Sequence, residues 1–255
     1  MKQINPIFYL LCLSLANTSV FAEKKEVAES KEEVTTIEKP PIIEGNISLG
    51  INSSSGNAET NGTNATLNLT YNTIPWRHEV FGEFIKLDVS GETIVENTTL
   101  LYNPRYYLGG GQKHYIFGFL SYEQDDFSNI KNRYTEAAGY GKHIFKNDKH
   151  NLGVEIGTGL RQTSHTDGST DDKGGIGYLG LYYSQQLNDR VSINQTLQYF
   201  PSKENTYTTS DTSLMIEMTK KLSLSLTYNI DKNSVVADGF KNTDTRTGTN
   251  LVYNF

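Results

Sequence analysis

Residues 222–230 read LSLSLTYNI. Leu222, Leu224, Leu226, Tyr228 and Ile230 fall at every second position, with Ser223, Ser225, Thr227 and Asn229 between them. Successive side chains of a strand point to opposite faces, so this stretch is a strand with one apolar and one polar face. Residues 64–72, NATLNLTYN, repeat the pattern: Ala65, Leu67, Leu69 and Tyr71 alternate with Asn64, Thr66, Asn68, Thr70 and Asn72. Residues 151–161 set Leu152, Val154, Ile156 and Leu160 against Gly153, Glu155, Gly157, Gly159 and Arg161. From Glu44 onward there is no apolar window long enough for a spanning helix and no convincing run at helical spacing.

The composition agrees with an all-β chain. There are 16 Tyr, 11 Phe and 22 Gly in 255 residues, but only 6 Pro and 1 Trp. Tyr and Thr favour strands, whereas Gly and Asn favour turns. The formal net charge of -6 is not the basic footprint of a nucleic-acid binder. The only cysteine, Cys12, lies in a segment expected to be removed, which leaves no disulfide and no cysteine metal site.

Alternation alone fits a soluble β-sandwich, whose apolar faces meet inside, or an outer-membrane barrel, whose apolar faces meet lipid. Length favours the barrel. The clean segments run well past the five or six residues typical of soluble strands, towards the roughly nine or more that a tilted membrane strand needs. About twelve strands are predicted, at 44–54, 63–73, 76–89, 92–107, 113–124, 131–145, 150–163, 174–187, 190–201, 206–218, 221–231 and 243–255. The joints alternate. TIP at 73–75, LGGGQ at 108–112, KNDK at 146–149, ND at 188–189 and KK at 220–221 are short. SGNAETNG at 55–62, SHTDGSTDDKG at 164–174 and KNSVVADGFKNT at 232–243 are long and polar, and only SGE at 90–92 breaks the trend. Short periplasmic turns and longer outer loops are the habit of outer-membrane barrels. Aromatic pairs near strand ends, such as Tyr106 with Tyr107 and Tyr199 with Phe200, suggest interfacial girdles. The fold class read from these features is a transmembrane antiparallel β-barrel.

The two ends fit this reading. Residues 1–22 resemble a secretory signal, with Lys2 ahead of the apolar core IFYLLCLSLA and a cleavage site at VFA, residues 20–22. Residues 23–43 are charged, hold no aromatic residue and read as a periplasmic linker, which leaves 44–255 as the barrel. The chain ends TNLVYNF. A ring in lipid has no free edge, so the last strand is expected to pair with the first. Leu251, Tyr253 and Phe255 are expected to face lipid and Asn250 and Asn254 to face inward, with Val252 the one apolar exception on that side.

The order and spacing of several segments resemble the DUF481 family, the YdiY-like group of salt-induced outer-membrane proteins. These segments are SSGNAETNG at 54–62, YNPRYYL at 102–108, YEQDDFSNIKNR at 122–133, AAGYGKHIF at 137–145 and LGVEIGTGLRQT at 152–163. The resemblance covers most of residues 45–255 and implies export to the outer membrane of a Gram-negative cell. The terminal aromatic is similar to the signature that the barrel-assembly machinery reads, which makes that machinery an expected partner alongside outer-membrane lipids and lipopolysaccharide. The resemblance implies no biochemical activity.

No catalytic constellation is read. No Gly-x-Ser-x-Gly elbow occurs; of His78, His114, His143, His150 and His165, His150 reads at a periplasmic turn and His165 in an outer loop, neither with a convincing Ser partner on a neighbouring strand. The acidic runs EQDD at 123–126 and DGSTDD at 167–172 lack EF-hand spacing and read as solvated loops, so neither a cofactor nor a metal site is assigned. GGG at 109–111 precedes no helix and reads as a turn. The candidate lumen-facing residues are Glu155, Arg161 and Glu217, with Arg105 and Arg133 near strand ends. The expected molecule is a monomer, non-enzymatic, and either structural or a narrow pore for ions or small polar solutes. A surface-binding barrel, whose outer loops take lipopolysaccharide, cations or a protein, is the alternative, and a lipid hydrolase is the least favoured reading.

Overall fold

A computed structural model of the chain describes residues 42–55, 60–89, 92–110, 112–125, 129–147, 149–236 and 239–255. The expected signal at 1–22 and residues 23–41 of the expected linker lie outside the described residues. The described residues form twelve strands. They are β1 (Ile42–Ser55), β2 (Thr60–Thr73), β3 (Trp76–Val89), β4 (Glu92–Leu108), β5 (His114–Asp125), β6 (Ile130–Lys146), β7 (His150–His165), β8 (Asp172–Asn188), β9 (Val191–Phe200), β10 (Tyr207–Glu217), β11 (Leu222–Asn233) and β12 (Thr243–Asn254). Each pairs with its sequence neighbours, and β12 returns antiparallel to β1, so the sheet closes into a transmembrane β-barrel.

The closing seam runs from Ser55 opposite Thr245 to Asn46 opposite Asn254. It continues one step further, because Gly45 N–H donates to Phe255 C=O at 3.0 Å and Phe255 N–H donates to Gly45 C=O at 2.9 Å. Gly45 is there for space: a Cβ would lie 2.7 Å from the Phe255 ring.

The barrel is apolar outside and largely polar within. Leu49, Ile51 and Ile156 are 65%, 66% and 60% exposed, whereas Ser225 and Asn250 are 4% and 5% exposed. Leu251, Tyr253 and Phe255 lie on the exposed face, and Val252 is buried between them on the inner one. The short joints turn tightly because side chains cap them. Asn188 Oδ1 accepts from Arg190 N–H at 2.9 Å, and Thr219 Oγ1 accepts from Leu222 N–H at 3.0 Å.

Two differences from the sequence reading have physical causes. Several strands outrun the apolar pattern at the long-loop end. Asn52, Ser53 and Ser54 pair with Gly62, Asn61 and Thr60, a polar extension of the first hairpin. Backbone pairing needs no apolar face once the ladder leaves lipid, so alternation under-reports strand length there. The second difference concerns the rings. Tyr107 and Phe200, expected in outward girdles, are buried in the interior. Adjacent residues of a strand face opposite ways, so only one member of Tyr106–Tyr107 and of Tyr199–Phe200 reaches the outside.

The inward rings form a cluster of Tyr107, Tyr115, Phe117, Phe119, Tyr178 and Phe200. Phe117 and Phe200 each lie 5.2 Å from Tyr178, centroid to centroid. The cluster needs glycine opposite: a Cβ at Gly141 would sit 2.2 Å from the Tyr115 ring. The β5–β9 side of the barrel is therefore filled by side chains.

The inside-out polarity is testable on one strand. Leu226 is outward and exposed, and Ser225 is inward and buried. Leu226→Arg is expected to cost about 2–4 kcal/mol if it lies near mid-bilayer, and so to reduce the folded, heat-modifiable band on gels of outer membranes. Ser225→Arg is expected to assemble much better, and equal defects would refute the assigned faces.

Candidate functional site

The interior holds charges in numbers that require pairing, since a buried ion without a partner is strongly destabilising. Glu155 projects inward from β7 between Gly153 and Gly157 and is 3% exposed. Its Oε1 accepts from Arg105 Nε at 3.1 Å and from the Tyr115 hydroxyl at 3.0 Å. Its Oε2 accepts from the Tyr178 hydroxyl at 3.0 Å. Arg105, on β4, also donates through Nη1 to Glu79 Oε2, and Arg77 closes on the other Glu79 oxygen with Nη2 at 2.8 Å. Two arginines thus meet two glutamates from three strands, β3, β4 and β7. The Tyr115 and Tyr182 rings flank the Arg105 guanidinium at 5.5 and 5.2 Å.

A second cluster draws on β3, β11 and β12. Arg246 of β12 reaches Asp231 at 3.3 Å and Glu83 at 3.7 Å. Asp231 also accepts from the Tyr207 hydroxyl at 2.7 Å, and neighbouring Asp211 accepts from Asn229 Nδ2 at 2.6 Å. A third group stands nearer the long loops, where Arg133 pairs with Glu123 at 3.2 Å and donates to Asn233 at 3.3 Å.

Between these groups runs a cavity of about 740 Å³. Its lining is uneven. Strands β1, β2, β11 and β12 contribute mainly short polar side chains, among them Asn46, Ser48, Thr66, Asn68, Ser225 and Asn250. The Ser48 and Thr66 hydroxyls are 2.5 Å apart, and Asn68 donates to Asn46 at 3.0 Å. From β8 only Tyr182 reaches the cavity. A separate pocket of about 420 Å³ opens at the long-loop end above Arg133 and Arg161.

The three sequence candidates do not form one site. Glu155 belongs to the Arg105 network, while Arg161 lies six positions along β7, where its Nε donates to Thr135 Oγ1 at 3.2 Å. Glu217 is the last residue of β10, opposite Ser223, and is exposed at the short-turn end. Sequence reasoning passed over Glu79, Glu83, Asp231 and Arg246. A signal for the first two existed: Arg77, Glu79 and Glu83 all fall on one face of β3.

Among the described residues no group of three or more His, Cys, Asp or Glu is placed to hold a metal ion. Glu123 of the EQDD run is committed to Arg133, and Asp126 lies outside the described residues. The hydrogen-bond partners of the histidines include Tyr102 for His78, Tyr140 for His114, Asn151 for His143 and Asp172 for His165. None of these is a serine.

The family model for proteins of unknown function, DUF481, matches residues 47–255. This chain belongs to the DUF481 family. A curated relative, the uncharacterized protein YdiY of Escherichia coli strain K12, is 26% identical over 247 residues, which cover 93% of this chain and 90% of YdiY. Two solved structures share the fold. The NanC porin superposes with a TM-score of 0.56 at 11% identity, over 82% of this chain and 100% of the porin. An outer-membrane channel from Pseudomonas putida F1 superposes at 0.50, also with 11% identity, over 90% and 100% of the two chains. Such identities establish the barrel architecture that this DUF481 member shares with them, and no more.

Removing Glu155 leaves the buried Arg105 with Glu79 alone and takes an acceptor from the Tyr115 and Tyr178 hydroxyls. Glu155→Ala in this DUF481 protein is expected to destabilise the barrel by about 1–3 kcal/mol. Urea unfolding in detergent, followed through the sole tryptophan, Trp76, measures it. An unchanged midpoint would show that the network does not hold the wall.

Proposed function

We propose that this protein is a monomeric outer-membrane channel for ions or slim polar solutes. The observation that carries the reading is the cavity and its extent. Lys146 and Asn151 near the short turns line it, and so do Asp125 and Arg246 towards the long loops. On β5 the lining residues run from Tyr115 to Asp125. Ten steps of about 3.3 Å on a strand tilted by about 40° span roughly 25 Å of depth, the height of the apolar band of such barrels. Spread over that depth, the cavity averages about 30 Å² in section, room for water and small ions.

The fixed charges do not impose one sign on the cavity. Arg77, Arg105, Lys146, Arg161 and Arg246 face Glu79, Glu83, Glu123, Asp125, Asp211 and Asp231, five bases against six acids. Most of these charges are tied up in pairs that brace the wall, which supports weak overall selectivity. Membrane lipids, with lipopolysaccharide in the outer leaflet, would cover the apolar outside, and the barrel-assembly machinery would deliver the chain there.

Purified protein in a planar bilayer is expected to give discrete conductance steps. A second measurement ties those steps to the cavity. In Ser225→Cys, a positively charged methanethiosulfonate reagent is expected to lower the conductance at least twofold and to leave the wild type unchanged. A silent membrane, or conductance indifferent to a group attached at 225, would overturn the channel reading.

A further inference from the structure

Three arginines are buried in the barrel: Arg105, Arg133 and Arg161. Arg105 and Arg133 each hold a carboxylate. Among the described residues, no carboxylate lies within ion-pair distance of Arg161, and its buried Nη1 has no hydrogen-bond partner. The side chain is 8% exposed. Beside the hydrogen bond from its Nε to Thr135, it rests on a floor of rings, with its guanidinium carbon 4.7 Å from the Phe200 centroid and 5.2 Å from that of Tyr207. Arg133 packs on the same Tyr207 ring at 4.7 Å, so two guanidinium groups share one aromatic platform. Two like charges at close quarters, one of them uncompensated, are unfavourable unless something negative joins them.

Both arginines line the pocket of about 420 Å³ at the long-loop mouth, together with Thr163, Asn205 and Asn233. The acids at its rim are already engaged. Asp167 accepts from Ser169 N–H at 2.8 Å and from Asn129 Nδ2 at 2.9 Å. The Ser169 amide holds the Asp167 carboxyl below its ordinary range. Asp172 meets His165 Nε2 at 3.1 Å, and Glu204 accepts from the Ser202 hydroxyl at 2.7 Å. Carboxylates and Lys173 thus stand at the rim, while the two guanidinium groups stand on the floor. Arg161 borders the lumen cavity as well, so the pocket floor is the threshold between mouth and lumen.

We propose that this pocket is an entry site for a small oxyanion, a carboxylate or phosphate group on a polar solute, with Arg161 as its principal ligand and Arg133 supporting it. The Nε of Arg161 is already given to Thr135, so its two Nη groups are the donors left for anionic oxygens. The amides and hydroxyls around it suit the polar remainder of such a solute. The inference rests on the channel reading for its physiological sense, but binding at the pocket does not require conduction.

The test is calorimetric titration of the folded full-length barrel in detergent with glucuronate, inorganic phosphate and glucose. At least one of the two anions is expected to bind and glucose not to, and the difference between the anions tells which oxyanion is preferred. Arg161→Gln is expected to weaken anion binding at least tenfold, and Arg161→Lys, which keeps the charge but loses the paired donors, to weaken it less. Binding of neither anion, equal binding of glucose, or undiminished binding by folded Arg161→Gln would overturn the proposal. Should that variant not fold, undiminished binding by Arg161→Lys would overturn it equally. Binding to a barrel that proves silent in a bilayer would sink the channel and keep the site. Conduction without binding would do the reverse.

Discussion

A strand edge cannot be left bare in hydrocarbon, because nothing there can satisfy its amides and carbonyls. That constraint organises the molecule. It forces β12 onto β1, 190 and more residues apart in the chain, and turns a meander of local hairpins into a ring. It also explains why the ladder is carried to Phe255, whose backbone exchanges both hydrogen bonds with Gly45. Leu49 opposite Leu251 and Ile47 opposite Tyr253 then continue the apolar band across the seam, so lipid meets no polar gap there.

The same constraint made the fold legible. Lipid requires every strand to be apolar on one face at a period of two, and LSLSLTYNI and NATLNLTYN display that period without interruption. The inner face obeys no comparable rule. Tyr115, Phe117 and Phe119 occupy alternate inward positions of β5, while Ile116 and Leu120 lie on its outer face. Apolar residues on both faces erase the alternation that a reader of sequence relies on. What permits those rings is the glycine on a neighbouring strand, as at Gly141 under Tyr115, and that match depends on register.

The candidate site was legible only in part, for a related reason. Facing can be counted along a strand, but partnership cannot. Glu155 and Arg161 share the inner face of β7 and would invite pairing on paper, yet they serve separate clusters. Glu155 instead meets Arg105, 50 residues earlier, which itself reaches Glu79 a further 26 residues back. Those separations are fixed by strand order and shear, which a single sequence does not display.

The division of the interior follows from where the bulk sits. Rings from β4, β5, β8 and β9 occupy one side, stacked to centroid distances between 5.2 and 5.6 Å. The other side is lined from β1, β2, β11 and β12 by serine, threonine and asparagine, with the Arg246 cluster as its main obstruction. A barrel meant only to be stiff would gain by packing both sides alike, since close-packed interiors are the stable ones. Here the seam between the first and last strands is also the thin wall of the cavity. Arg246 and Val252 apart, the strands that the bilayer obliges to meet bring mainly short polar side chains to the cavity, so the ring closes where its interior is least filled.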